Sequence, residues 1–291
     1  MKNLFMSNMK GKMPSDMSKS MGELTLHDLQ QQGLKIMKVI DRWCVDHGVN
    51  YSLCGGSLIG AIRHKGFIPW DDDIDIMMAR PEYDRFVREF KADGYVCIAP
   101  ELGNSYIAYG RICDMADTLS EPYCPWSSIE GTGLWVDVFP FDGEPNDFDV
   151  FSDLVKRINN KINRIYQIRG ARLPLSKKLG GVRIAKLIGK KILYGHCDLD
   201  KELAELLVLV KAIPFGETEY CGNLSFPHYD TKERSRIGIF NSYTRLPFED
   251  TELQVVAAYE EYLRDVFGDY MQLPPEEERV PAHLEHKFFF K

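Results

Sequence analysis

Apolar residues recur at helical spacing from Thr25 onward. Leu29, Ile36, Met37, Ile40, Trp43 and Cys44 share one face, with Thr25 where an N-cap is wanted and Gly48 where a helix stops. The period then drops to two. Val49, Tyr51 and Leu53 alternate with polar or small residues, which predicts a short strand running into a Gly55-Gly56 turn. Ser57 reads as the N-cap of a brief helix, "SLIGAIRHKG", and "DIDIMM" as the next strand. "RPEYDRFVREFKADG" follows as a helix with Pro at its start and Gly94 at its end. "GYVCIA", "YIAYGRICD" and "GLWVDVFPFDG" read as further strands. Beyond them, helical spacing returns in Phe151 to Ile165, in Leu203 to Val210, and in Val255, Val256, Tyr259, Tyr262, Leu263 and Val266.

This pattern predicts an α/β (α+β) chain. A mixed sheet flanked by helices occupies residues 23–145, and a mainly helical region, 146–291, packs on it. The boundary is soft, near Gly143 to Asn146. Residues 1–22 are rich in Met, Lys and Ser without apolar periodicity and read as a loose tail.

Composition changes this picture mainly by exclusion. With 291 residues, 44% of them hydrophobic, the chain can bury a sizeable core. A formal charge of −7 offers no overall basic footprint, so nucleic acid is not an expected partner. The seven cysteines are odd in number and form no CxxC pair, which reads as reduced thiols with neither a disulfide framework nor a zinc knuckle. No apolar run reaches the length of a membrane span and the first residues lack a signal-peptide core, so a cytoplasmic location is expected.

The chemistry concentrates in "IPWDDDIDIMM". In a strand Asp73 and Asp75 point the same way, while Ile74 and Ile76 point into the core. Two ionised carboxylates side by side in an apolar run are costly unless a cation lies between them, and hard oxygen donors select Mg²⁺ or Mn²⁺. A solvated acidic turn remains the reading for Asp71 and Asp72. Asp137, alone among Trp135, Val136, Val138 and Phe139, supplies a third carboxylate from another strand, although an isolated hydrogen-bonded aspartate has the same pattern. Gly55, Gly56 and Ser57 open a helix and offer close backbone approach to a phosphate. Arg63 and His64 either hold phosphate charge or simply end a surface helix.

Two features stand apart. From Arg169 to His196 the chain carries basic residues and no acidic one, interleaved with Leu179, Ile184, Leu187, Ile188 and Ile192. The segment 169–197 reads as a helix packed on the core by its apolar side or as a basic amphipathic contact with an anionic membrane surface. Trp70, Trp126 and Trp135 can stack on a base or cage a quaternary ammonium, although most aromatics are core. Trp126, in the Pro-flanked "EPYCPWSS", is the one expected to be exposed.

A GG/GS turn opening a helix, a strand with paired acidic residues and a later strand with one Asp resemble the nucleotidyltransferase superfamily of polymerase-β type. More narrowly, "GGSLIGAIRHKGFIPWDDDIDIMM", "VDVFPFDG" and "YLRDVFGDYMQLPPEEER" resemble the LicD family, relatives of fukutin and the fukutin-related protein. The resemblance covers about Leu24 to Arg279. It implies metal-dependent transfer of a phospho-alcohol group, phosphocholine foremost, from a CDP-activated donor such as CDP-choline. The implied acceptor is a hydroxyl of a surface glycan, teichoic acid or lipopolysaccharide, which can be lipid-linked. Carried over by position, Gly56 and Ser57 fill the phosphate turn beside Gly55. Asp73 and Asp75 are the paired ligands, Asp137 the third carboxylate and Asp71 an auxiliary. Arg111 and Thr118 stand where the family holds substrate contacts. Nucleotidyl transfer from an NTP, or a non-catalytic binding role, are the alternatives this core permits.

Overall fold

The computed structural model describes residues 22–121, 126–173, 181–281 and 287–291, with the side chains of 181–183 left aside. Helix α1 (Leu26–His47) begins as expected. The Thr25 hydroxyl accepts from the Asp28 N–H at 3.2 Å and the Asp28 carboxylate accepts from the Thr25 N–H at 2.9 Å. Gly48, at φ 61°, closes it in the left-handed conformation. Strand β1 (Ser52–Leu53) leads into α2 (Gly55–Arg63), β2 (Asp75–Ala79), α3 (Arg80–Glu89), β3 (Tyr95–Ile98), β4 (Gly110–Asp114), β5 (Thr118–Glu121) and the long β6 (Trp135–Glu144).

The main sheet runs β1-β2-β6-β4-β3. β2 and β6 are parallel and the other neighbours on this path antiparallel, so the expected mixed sheet flanked by helices is present. Strand alternation sends Ile74, Ile76, Val136 and Val138 to one face. There α1 and α3 cover them: a Cβ on Gly33 would touch Ile74, and one on Gly110 would touch Tyr83. The buried Arg80 guanidinium holds Asp142 with two bonds of 2.7 Å, tying the start of α3 to the end of β6.

Past β6 the chain is helical through α4 (Phe148–Ala171), α5 (Gly181–Tyr194) and α6 (Leu199–Val210), then returns to strands. β7 (Tyr220–Gly222) pairs with the end of β6, and β8 (Ser235–Arg236) pairs with β7. β9 (Tyr243–Phe248) and β10 (Thr251–Val256) form a hairpin, α7 (Tyr259–Phe267) follows, and β11 (Lys287–Phe290) pairs with β5. The sheet therefore continues across the soft boundary at Gly143 to Asn146, because Asp142, Gly143 and Glu144 are themselves paired with β7.

Several local readings are corrected. Ser57 lies inside α2, whose N-cap is Cys54. α3 stops at Glu89, before Gly94. Only Gly110–Asp114 of "YIAYGRICD" is strand. The helix read from Val255 to Val266 divides into β10 and α7, since Val255 and Val256 pair with Thr244 and Tyr243. Hairpin partners override a helical spacing that β-branched residues support poorly.

Glu144 and Glu233 pack around Gly222, where a Cβ would collide with Glu144 Oε1 and the Glu233 carbonyl. Among the described residues neither Glu144 oxygen has a hydrogen-bond partner. Burial pushes Glu144 up to about 9, against the pull of Arg234, and Glu233 up to about 8. Both folded values lie above the ordinary 4.5, so their stabilising effect is complete below that value and is lost as pH rises through about 8 to 9. Glu144→Gln is expected to narrow the drop in melting temperature between about pH 6 and about pH 9, measured by circular dichroism.

Candidate active site

The second face of the sheet carries the chemistry. Parallel register places Asp75 directly beside Asp137, and antiparallel register places Arg111 on the other side of Asp137. These three side chains form one row across three strands, a consequence of each occupying the same parity. The backbone locks the row. Cys54 N–H donates to the Asp75 carbonyl at 3.1 Å, Asp137 N–H donates to Ile74 O at 3.2 Å, and Asp75 N–H donates to Ser57 Oγ at 2.9 Å. Ser57 is thus a brace between α2 and β2.

The first turn of α2 abuts the carboxylates. Gly55 takes φ 52°, a conformation that L side chains rarely adopt, and a Cβ there would lie 3.9 Å from Asp75 Oδ2 and 3.8 Å from the Tyr229 hydroxyl. At Gly56 a Cβ would stand 2.6 Å from Asp71 Oδ2, so only glycine lets that carboxylate sit against the helix end. The Tyr262 hydroxyl takes a backbone hydrogen bond from Gly55.

Asp71, Asp72 and Asp73 can bring one carboxylate oxygen each within 4.8 Å of one another. Asp72, read from the sequence as part of a solvated turn, is buried in this cluster, while Asp71, Asp73 and Asp75 are half-buried. Burial, followed by the nearby Asp73, Asp137 and Asp71, holds the Asp75 carboxyl well above the usual carboxylate range, and Arg111 pulls it the other way. A dense set of hard oxygen donors whose mutual repulsion a divalent cation would relieve fits Mg²⁺ or Mn²⁺.

Arg111 serves Asp137. Its Nε donates to Asp137 Oδ1 at 2.5 Å, its Nη2 reaches Oδ2 at 3.4 Å and the Tyr109 hydroxyl at 3.1 Å. The guanidinium lies 4.4 Å from the Trp126 ring centre and 4.3 Å from that of Trp135. Trp126 is therefore buried, contrary to its expected exposure, because it stacks on Arg111 and its carbonyl accepts from Tyr106 N–H. Thr118 is also structural. It is fully buried, its hydroxyl donates to Asp114 and accepts from the Leu134 N–H.

Arg63 and His64 are not brought to the row. They end the nine-residue α2, about 12 Å along its axis from Gly55. Arg63 Nη1 donates to the Tyr270 and Gln272 carbonyls at 3.2 and 3.4 Å, so it anchors the C-terminal segment. Sequence reasoning missed Phe226, His228 and Tyr229, which lie over the site's face from far along the chain. The aromatic run around Pro227 was the one local signal.

Residues 48–166 match the family described as LicD/FKTN/FKRP, nucleotidyltransferase domain, a span that contains the whole acidic row and the α2 turn. The chain is 32% identical over 276 residues to the lipopolysaccharide cholinephosphotransferase LicD of Haemophilus influenzae, covering 92% of this chain and 99% of that one. An uncharacterized protein of Rickettsia typhi is 33% identical over 64 residues, 21% of each chain. Aligned almost end to end with a LicD protein, and carrying the family's domain around its acidic row, the chain is a phosphotransferase of the LicD family.

Proposed function

We propose that this protein transfers phosphocholine from CDP-choline to a hydroxyl of a lipopolysaccharide-type surface glycan. The observation that carries the proposal is the pairing of Asp75 with Asp137 beside Asp71 to Asp73 and the Gly55-Gly56 turn, in a chain that aligns along its length with a lipopolysaccharide cholinephosphotransferase. Mg²⁺ or Mn²⁺ held by Asp73, Asp75 and Asp137, with Asp71 beside them, would neutralise charge on the donor's diphosphate.

The chain's own residues do the rest. Gly55 and Gly56 let the donor's phosphates approach the N-terminus of α2, whose partial positive charge favours them. The acceptor oxygen attacks the choline-bearing phosphorus in line, the bond to the bridging oxygen breaks and CMP leaves. Asp137, fixed by Arg111, takes the hydroxyl proton. Incubation with Mg²⁺ and a panel of CDP-alcohols, with and without glycan, tests the proposal. CMP released from CDP-choline supports it, whereas pyrophosphate released only from an NTP favours the nucleotidyl-transfer alternative that the family's domain also permits.

The acceptor places the enzyme at a membrane. Among the described residues no helix is long and apolar enough to cross one. α5 buries Leu187, and Lys191 Nζ donates to Ala171 O of α4 at 2.9 Å, yet Ile192 and Leu193 are 71% and 64% exposed on the same helix. Lys177 and Lys178 lie outside the described residues. This basic helix with an exposed apolar edge suits peripheral contact with the anionic inner leaflet. Sedimentation with phosphatidylglycerol vesicles at low salt is expected to retain the protein and to lose it in Ile192→Glu. An unbound wild-type protein would end the membrane proposal.

A further inference from the structure

The segment carrying Phe226, His228 and Tyr229 crosses the same sheet face as the acidic row. Phe139 lies two residues beyond Asp137 on β6 and so shares its face. Phe226 stacks over Phe139 at 6.3 Å with an interplanar angle of 10° and meets Tyr109 at 5.7 Å. His228 stacks on Phe226 at 5.7 Å, and Tyr229 stands edge-on to His228 at 4.9 Å. Pro227 holds the backbone between the first two rings stiff. At the other end, the Tyr229 hydroxyl reaches the space beside Gly55, next to Asp75.

These rings are only partly covered. Phe226 and Tyr229 are half-buried and His228 is exposed, whereas Phe139 and Tyr109 beneath them are buried. The result is an accessible aromatic ledge bordered by carboxylates. Neutral polyols are recognised by hydrogen bonds, which Phe226 cannot supply. A quaternary ammonium has no hydrogen to donate, is weakly hydrated and binds to π faces, with neighbouring negative charge in its favour.

We propose that Phe226, His228 and Tyr229 form the surface that recognises the trimethylammonium head of the donor and so sets its specificity for choline over neutral alcohols. This rests on the reading of the site as one that handles a CDP-alcohol. Geometry supports it in one further respect. The ledge and the phosphate turn meet at Tyr229 and Gly55, so a donor with its diphosphate at the turn can extend its alcohol along the rings.

The test is binding of CDP-choline and of CDP-glycerol by calorimetry, in the wild type and in Phe226→Leu, Tyr229→Leu and Tyr229→Phe. Leucine keeps apolar bulk and removes the π face. Each leucine variant is expected to lower the preference for CDP-choline over CDP-glycerol by about tenfold, and Tyr229→Phe to retain it. Equal weakening toward both donors, an unchanged preference, or no preference in the wild type would overturn the proposal. CMP release is scored separately. Discrimination in binding without CMP release would refute the transferase reading while leaving the recognition surface standing. CMP release without discrimination would do the reverse.

Discussion

Asp75→Asn is expected to lower CMP release by roughly a thousandfold while the protein stays folded. Asp75 stands at the end of the row nearest the α2 turn, beside Asp137 in register. Asparagine keeps its shape, but loses the negative charge that a divalent cation would require. The same change should make the metal-free protein more stable at neutral pH. Burial and the surrounding aspartates raise the Asp75 carboxyl in the folded state. Its favourable effect is therefore complete below the ordinary value of 3.8 and is lost as pH rises through the raised one. The substitution removes that loss. A rise in melting temperature in chelator, together with lost turnover, is the expected pair of results. Full turnover in the folded variant would remove Asp75 from the site.

Arg111→Met is expected to cost about 3–5 kcal/mol of stability, the cost of leaving one partner of a buried ion pair uncompensated. The Arg111 and Asp137 side chains are only 11% and 13% exposed, and among the described residues no other cation forms an ion pair with Asp137. Lysine is no substitute, because it offers neither the planar fork nor the flat face that lies against Trp126 and Trp135. Adding Asp137→Asn to Arg111→Met should restore part of the loss. Urea unfolding of the four corners of this cycle measures the coupling, and simple additivity would mean that Arg111 does not act through Asp137.

Much of this site was legible in the sequence because its chemistry violates local expectation. Ionisable residues at period two among Ile74, Ile76 and Met77, and a lone Asp137 among apolar neighbours, carry desolvation costs that call for partners, which Arg111 supplies at Asp137. Thr25 and Gly48 were legible because caps are local. The remainder depends on contacts from distant parts of the chain. Phe226 and Tyr229 reach the row only because β7 pairs with the end of β6 and brings the following segment over the face. Val255 and Val256 are strand because β9 is beside them. Trp126 is buried because Arg111 draws it in, and Arg63 turns away because α2 points its C-terminus toward Tyr270. Asp72 had no pattern to mark it, since burial of one residue in an acidic run is set by tertiary packing and not by local sequence.

The most direct measurement uses CDP-choline labelled in its choline, Mg²⁺, lipopolysaccharide and the full-length protein, following the label and the nucleotide together. The account predicts one CMP for each choline label transferred to the glycan, and neither product with Asp75→Asn or in excess chelator. Untouched CDP-choline alongside pyrophosphate release from an NTP would contradict it.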